Sequence, residues 1–214
     1  LGILSIGGAI HWLAWLALIP TVIAAIVVKR IGSKIAILSS GLAGEEETAQ
    51  LLRRLPSNYT VISDLSITVN NHSSQIDHVC VGPTGVFVIE SKHVRGIIHG
   101  DPQDQSWSQD KVRNGQVIEQ KTLYNPLKQV ATHVHRVTQM LQRDRLRHPV
   151  QGIVYFSNPG AKVQITHHDI PIFSVAKDGE HRLLEYIRQH GTNRLTGEDQ
   201  KKIVNRLKRH IMLG

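Results

Sequence analysis

A chain of 214 residues suits one domain of ordinary size plus an extra segment, and 41% hydrophobic with 20% charged residues excludes both a disordered chain and a polytopic membrane protein. Twenty-five Lys and Arg against seventeen Asp and Glu give a formal charge of +8, all of it from Lys29 onward; such a balance favours phosphate backbones or anionic lipid surfaces, or is simply a solvated face. The lone cysteine, Cys80, excludes an intramolecular disulfide and a cysteine-rich zinc site, and inside an apolar run it reads as a small buried hydrophobe.

Residues 1–28 contain no charged side chain, and residues 12–28 read WLAWLALIPTVIAAIVV. With residues 3–10 added, the run reaches the roughly 20 apolar residues that a spanning helix needs. Pro20 is tolerated in such a helix, and Trp12 and Trp15 suit a membrane interface. Lys29, Arg30 and Lys34 follow directly and place what comes next on the cytoplasmic side. A signal peptide would have a shorter core and its positive flank before it; a buried core helix is the other reading. The expectation is a transmembrane anchor over residues 1–30, a juxtamembrane linker over 31–40 and a domain over 41–214.

Within that domain, Ala49, Leu52 and Leu55 fall at helical spacing, and Pro56 stops the helix. Residues 59–69 alternate loosely and predict one or two strands. The runs QIDHVCV (75–81) and VFVIESK (86–92) flank the turn signal Gly82-Pro83-Thr84-Gly85 and predict a β-hairpin. Residues 96–100 continue the sheet, and the polar residues 101–122 read as mostly loop. Pro126 starts a helix capped by Asn125, with Leu127, Val130, Val134, Val137 and Leu141 as its apolar stripe. Strands follow at 151–156 and 171–175, then helices at about 180–190 and 197–212.

The hairpin carries the chemistry. Around its turn Asp77 falls roughly opposite Glu90 or Ser91, and strand alternation puts Glu90 and Lys92 on one face. With the matching register Asp77 joins them. Two carboxylates on one face suit a hard cation such as Mg²⁺, and a lysine two residues on suits activation of water or stabilisation of phosphoryl charge. An ordinary cross-strand salt bridge at a sheet end uses the same residues. The thirteen histidines show no HExxH pattern and read mostly as surface residues. Lys128, Arg136, Arg143, Arg145 and Arg147 form one basic stripe, and Lys201, Lys202, Arg206, Lys208 and Arg209 another; either could track phosphates, meet anionic lipid or be solvated.

The segments GLAGEEETAQLL, QIDHVCVGPTGVFVIESK, a turn at Gly96, Trp107 and NPLKQVATH occur in that order. Over residues 41–156 the chain thereby resembles the nuclease-related domain family of the PD-(D/E)xK superfamily. The resemblance implies an α/β, restriction-endonuclease-like fold: a mixed central sheet flanked by helices, here preceded by the transmembrane helix. It implies phosphodiester cleavage dependent on Mg²⁺ or Mn²⁺, with nucleic acid as partner, DNA ahead of RNA. Asp77 matches the metal-binding aspartate, Glu90 and Lys92 the acid and lysine of the ExK motif, and Glu45 the acid of the first helix, with Glu46 an adjacent competitor. Gln129 matches a glutamine of unassigned role. The rival reading is a non-enzymatic, membrane-tethered nucleic-acid-binding or scaffolding module.

Overall fold

A computed structural model of the chain describes residues 6–191 and 194–211; the side chains of residues 6–20, 37, 210 and 211 lie outside the described ones. Two units divide the chain, Leu1–Leu42 and Ala43–Gly214. Helix α1 runs over Ile6–Leu52. Residues 31–40, expected as a juxtamembrane linker, are helical, because nothing between Pro20 and Pro56 breaks the backbone ladder. Among the described residues no helix is long and apolar enough to cross a membrane. The anchor expected over residues 1–30 thus finds no support there, and the side chains of Trp12 and Trp15 lie outside the described residues. In the first unit Val22, Ile23, Ile26, Val27, Val28, Ile31 and Ile35 are exposed.

The second unit holds two sheets. After Pro56 come β1 (Thr60–Val69), β2 (His72–Gly82) and β3 (Gly85–Lys92). The expected hairpin is present: β2 and β3 are antiparallel, with Gly82 opposite Gly85 and His78 opposite Ile89. A parallel neighbour, β7 (Val150–Phe156), sets Glu90 beside Val154 and Lys92 beside Phe156, and β9 (Ile172–Ser174) closes the order β1-β2-β3-β7-β9. The sheet is mixed because a hairpin joins β2 to β3, whereas β3 returns to β7 through a helical crossover.

That crossover contains α2 (Pro126–Arg143), which begins where the sequence predicts: Asn125 Oδ1 accepts from Leu127 N at 2.9 Å, and proline fills the first turn. Its buried side chains Leu127, Val130, Val137 and Leu141 join Val86, Val88 and Val154 in one core, which also takes Ile203 and Leu207 from α4 (Gly197–Ile211). A second core on the other face combines Leu51 and Leu52 of α1 with Phe87, Ile89, Ile153 and Tyr155 and with Leu183 and Ile187 of α3 (Gly179–Gln189). Each fully buried aliphatic side chain contributes on the order of 2 kcal/mol. Strand β3 lies between these cores and is apolar on both faces until Glu90.

The remaining strands correct the sequence reading. Residues 96–99 do not extend the central sheet, and residues 101–122 are not mostly loop. They form β4 (Gly96–His99), β5 (Ser106–Arg113) and β6 (Gln116–Tyr124), which with β8 (Ala161–Gln164) make a separate sheet ordered β6-β5-β4-β8. Polar composition hid it, since β6 is exposed along nearly its whole length and is held by ladder bonds and cross-strand pairs such as Lys111–Glu119 at 3.6 Å. The readable signal was Asn114-Gly115: both residues have positive φ, +51° and +78°, as a two-residue hairpin turn requires.

Candidate functional site

Alternation in the central sheet slips on β1 and β2, and the slip makes the site. Ile62, Leu65, Ile67 and Val69 of β1 all face the α2 side, so the alternation slips at Asp64, whose φ is +54°. On β2, Ile76 and Val79 face that same core, so the slip recurs there. The register sets Asp64 opposite Asp77, at the one position missing from the β1–β2 ladder. Freed from the ladder, Asp77 turns toward β3, and its Oδ2 accepts from the Ser91 backbone N–H at 2.8 Å.

Glu90 follows Val88 on the α2 side and is 1% exposed. Lys92, two residues on, donates to Glu90 Oε1 at 2.5 Å and to Gln129 Oε1 of α2 at 3.1 Å. One turn along α2 from Gln129, His133 brings Nδ1 to 3.2 Å from Glu90 Oε2. The two atoms are misaligned for a hydrogen bond, so both are buried without a hydrogen-bond partner. Helix α1 approaches from the other side of the strand. Thr48 Oγ1 lies 2.8 Å from Ser91 Oγ and donates to Gly44 O, and a side chain at Gly44 would collide with His93. Glu45, next to Gly44, is half-buried and reaches the site through space.

These placements push the three acids in different directions. Burial lifts the Asp77 carboxyl to about 7, the charge of Glu90 adds to the rise, and the Ser91 N–H and Lys92 oppose it. Burial also pushes Glu90 upward, but His133 and Lys92 together outweigh it and hold the carboxyl below its ordinary value. Glu45 is raised by burial, then by Asp64 and Glu90.

The structure therefore brings together four of the five expected residues, Asp77, Glu90, Lys92 and Gln129, and sets Glu45 within electrostatic reach. Glu46 points elsewhere, exposed and bonded to Arg53 and Gln50. Asp64 and His133 were not expected. The signal for His133 was its spacing of four from Gln129, which puts both on one helix face. Asp64 had no signal beyond the loose alternation of β1. The expectation of mostly surface histidines fails at His133, 5% exposed, and at His78, 1% exposed, whose Nδ1 lies 2.9 Å from Ser63 Oγ.

Among the described residues no group of three or more His, Cys, Asp or Glu is gathered so as to hold a metal ion. The reason is local. Lys92 occupies one oxygen of Glu90, Ser91 N–H occupies one of Asp77, and Glu45 touches neither. The donor chemistry still fits a hard divalent cation: the groups are carboxylate oxygens, one of them, Glu90 Oε2, is buried without a hydrogen bond, and burial and the charge of Glu90 hold the Asp77 carboxyl up at about 7.

The family described as nuclease-related domain matches residues 40–157. An uncharacterized protein of Bacillus anthracis is 30% identical over 105 residues, which is 48% of this chain and 47% of that protein. The match thus spans about half the length of this relative. No solved structure matches the chain significantly.

Proposed function

The chain belongs to the nuclease-related domain family, and on that premise we propose that it hydrolyses phosphodiester bonds of nucleic acid, DNA ahead of RNA, with Mg²⁺ or Mn²⁺. The observation that carries this reading is the joining of Asp77, Glu90 and Lys92 at one end of the β2–β3 hairpin, with Lys92 also held by Gln129. Asp77 and Glu90 would hold the cation, with Glu45 as the third acid and the Ser91 carbonyl available beside them. The bound ion supplies Lewis acidity and offsets phosphoryl charge. Lys92, kept in place by Gln129, would orient the attacking water and face the charge that develops on the phosphoryl oxygens. Oxygen of the water forms the new P–O bond and gives up one proton to solvent, the ester P–O bond breaks, and the leaving oxygen takes up one proton from solvent. The restriction-endonuclease-like assignment rests on the mixed sheet β1-β2-β3-β7-β9 covered by helices on both faces.

The test is cleavage of labelled DNA and RNA by the full chain with Mg²⁺, with Mn²⁺ and with chelator. Metal-dependent cleavage that Asp77→Asn and Glu90→Gln abolish is the expected result; equal cleavage by Asp77→Asn sinks this site. The pairing of Lys92 with Glu90 at 2.5 Å, which a purely structural ion pair would also show, favours a second reading, a non-enzymatic nucleic-acid-binding or scaffolding module. Binding without cleavage under every metal condition is its signature. For either reading we place the chain at a membrane as a single-pass protein with its C-terminal domain cytoplasmic. The uncharged residues 1–28, the flank Lys29, Arg30 and Lys34, and the exposed Val22, Ile26 and Val28 support that placement. Release by carbonate extraction would rule it out.

A further inference from the structure

Several of the basic residues on or beside α2 and α4 are engaged within the fold and so are poorer phosphate ligands. Arg136 donates to Ser73 O, Arg143 to Asn70 Oδ1, and Arg206 pairs with Asp144 at 2.7 Å. A different cationic surface is less encumbered. A cleft of about 520 Å³ opens where β4, β5 and β8 meet, and three cations from separate segments line it: Arg95 just before β4, Lys111 on β5 and Lys162 on β8. Arg95 and Lys162 are exposed and make no ion pair among the described residues; Lys111 lies 3.6 Å from Glu119. The acid lining the cleft, Asp110, is already covered, accepting from Gln120 Nε2 at 2.9 Å with His99 Nε2 2.8 Å from its other oxygen.

Part of the wall is bare backbone. Gly96 has φ +106°, donates its N–H to Gly160 O at 2.9 Å, and has no room for a side chain, which would strike Asp110 O. Gly96 and Gly160 thus let neighbouring chain segments meet and place no side chain of their own in the lining.

The cleft also lies a few residues along the chain from the acid–lysine site. Arg95 stands three residues after Lys92, so their Cα atoms are separated by at most roughly 11 Å. Asn158, which lines the cleft, has its Nδ2 2.9 Å from His93 Nε2, and Ser157 N donates to Lys92 O. On one DNA strand, with roughly 3.4 Å of axial rise per phosphate, that separation corresponds to at most about three phosphates.

We propose that Arg95 and Lys162, with Lys111, bind the sugar-phosphate backbone of nucleic acid a few nucleotides from the scissile bond. The ligand's identity rests on the nucleolytic reading of Asp77, Glu90 and Lys92. Contacts of this kind fix position and carry no base specificity.

Binding of a labelled duplex and a labelled single strand to the full chain, in chelator so that no cleavage intervenes, is measured by fluorescence anisotropy across KCl concentrations. The double variant Arg95→Ala/Lys162→Ala should lower the slope of log K against log [KCl] by about 2. The same loss of charge elsewhere, in Lys201→Ala/Lys208→Ala, should leave the slope near wild type. Equal effects of the two variants overturn the cleft in favour of diffuse charge, and so does a wild type that binds neither strand form at low salt. Retained DNA binding with lost binding to phosphatidylserine vesicles assigns the cleft to lipid and overturns the proposal too. A wild type that binds through the cleft but never cleaves with Mg²⁺ or Mn²⁺ supports the cleft and sinks only the catalytic reading. Thermal melts check folding, and single Arg95→Gln and Lys162→Gln variants keep the test if the double variant unfolds.

Discussion

Asp77 and Glu90 are carboxylates on adjacent strands with opposed proton preferences, and each preference has a consequence for stability. The Asp77 carboxyl keeps its proton up to about 7 in the folded chain, whereas an unfolded aspartate loses it near about 4. Between those values the folded state binds more protons than the unfolded one, so this group makes stability fall as pH rises, with the loss complete above the folded value. Glu90 runs the other way. Held below its ordinary value, it contributes stability above the unfolded glutamate pKa and loses it as pH falls through the folded value. Asp77→Asn removes the first effect alone. Urea melts at about pH 5 and about pH 8 should show the variant gaining stability over wild type at the higher pH and little at the lower; a wild-type lead that grows with pH contradicts the assignment. Lys92 and Gln129 form a separate unit. Lys92→Ala should lower kcat by roughly 10²–10⁴ with metal affinity nearly unchanged, as loss of a group that acts in proton transfer or charge stabilisation does. Gln129→Ala should lower it less, because Glu90 still holds Lys92 at 2.5 Å. Single-turnover rates with metal titrations separate the two, and parallel loss of metal binding in Lys92→Ala would show that the lysine is structural.

At the scale of elements, close approach of α1 to β3 sets Glu45. Gly44 lies against His93, and Thr48 against Ser91 at 2.8 Å, so this stretch of helix is pinned where it passes the site. Gly44→Ala must push the helix or His93 aside, an overpacking change that costs about 1–3 kcal/mol. Denaturant melts should register that cost, and cleavage should fall with it as Glu45 moves away; an unchanged midpoint would mean the contact is loose. The Asn114-Gly115 turn provides a contrast, since Gly115→Ala strains a positive φ in the second sheet with open space around it. It should cost about 1 kcal/mol and leave cleavage intact. The same elements show how far sequence reading reached. The β2–β3 hairpin was legible because a Gly-Pro-Thr-Gly signal joined two apolar runs, and α2 was legible from Asn125, Pro126 and a clean stripe. The hairpin of β5 and β6 escaped because its strands carry almost no buried face, so periodicity had nothing to report and only Asn114-Gly115 spoke for it. At the site, Glu90 and Lys92 followed from strand alternation, and Asp77 from its place opposite them about the turn and from resemblance. Asp64 did not, because it stands where alternation slips, and His133 was hidden among histidines read one by one rather than by their spacing from Gln129.

For the molecule as a whole, the acids and the cation they are proposed to hold form one linked equilibrium. Without a cation, the folded chain keeps Asp77 protonated near neutrality and leaves Glu90 Oε2 buried with no hydrogen bond. Raising the pH strips the Asp77 proton and sets its charge against Glu90 and Glu45, all within one unit, Ala43–Gly214. A divalent ion that binds only the folded state stabilises it by about 2.7 kcal/mol at a concentration one hundred times its Kd. For a domain of this size that corresponds to a rise in Tm of about 5–10 °C. Protons and the ion compete for the same oxygens, so the rise should be larger at about pH 8 than at about pH 6. In Asp77→Asn/Glu90→Gln, which removes both competing carboxylates, it should vanish at either pH. Scanning calorimetry of the full chain with Mg²⁺, Mn²⁺ and chelator reads this without any demand for activity. A rise that persists in the double variant places the ion elsewhere on the chain, and a wild type whose Tm ignores both ions at about pH 8 moves Asp77 and Glu90 from metal ligands to an ordinary buried ion-pair network around Lys92.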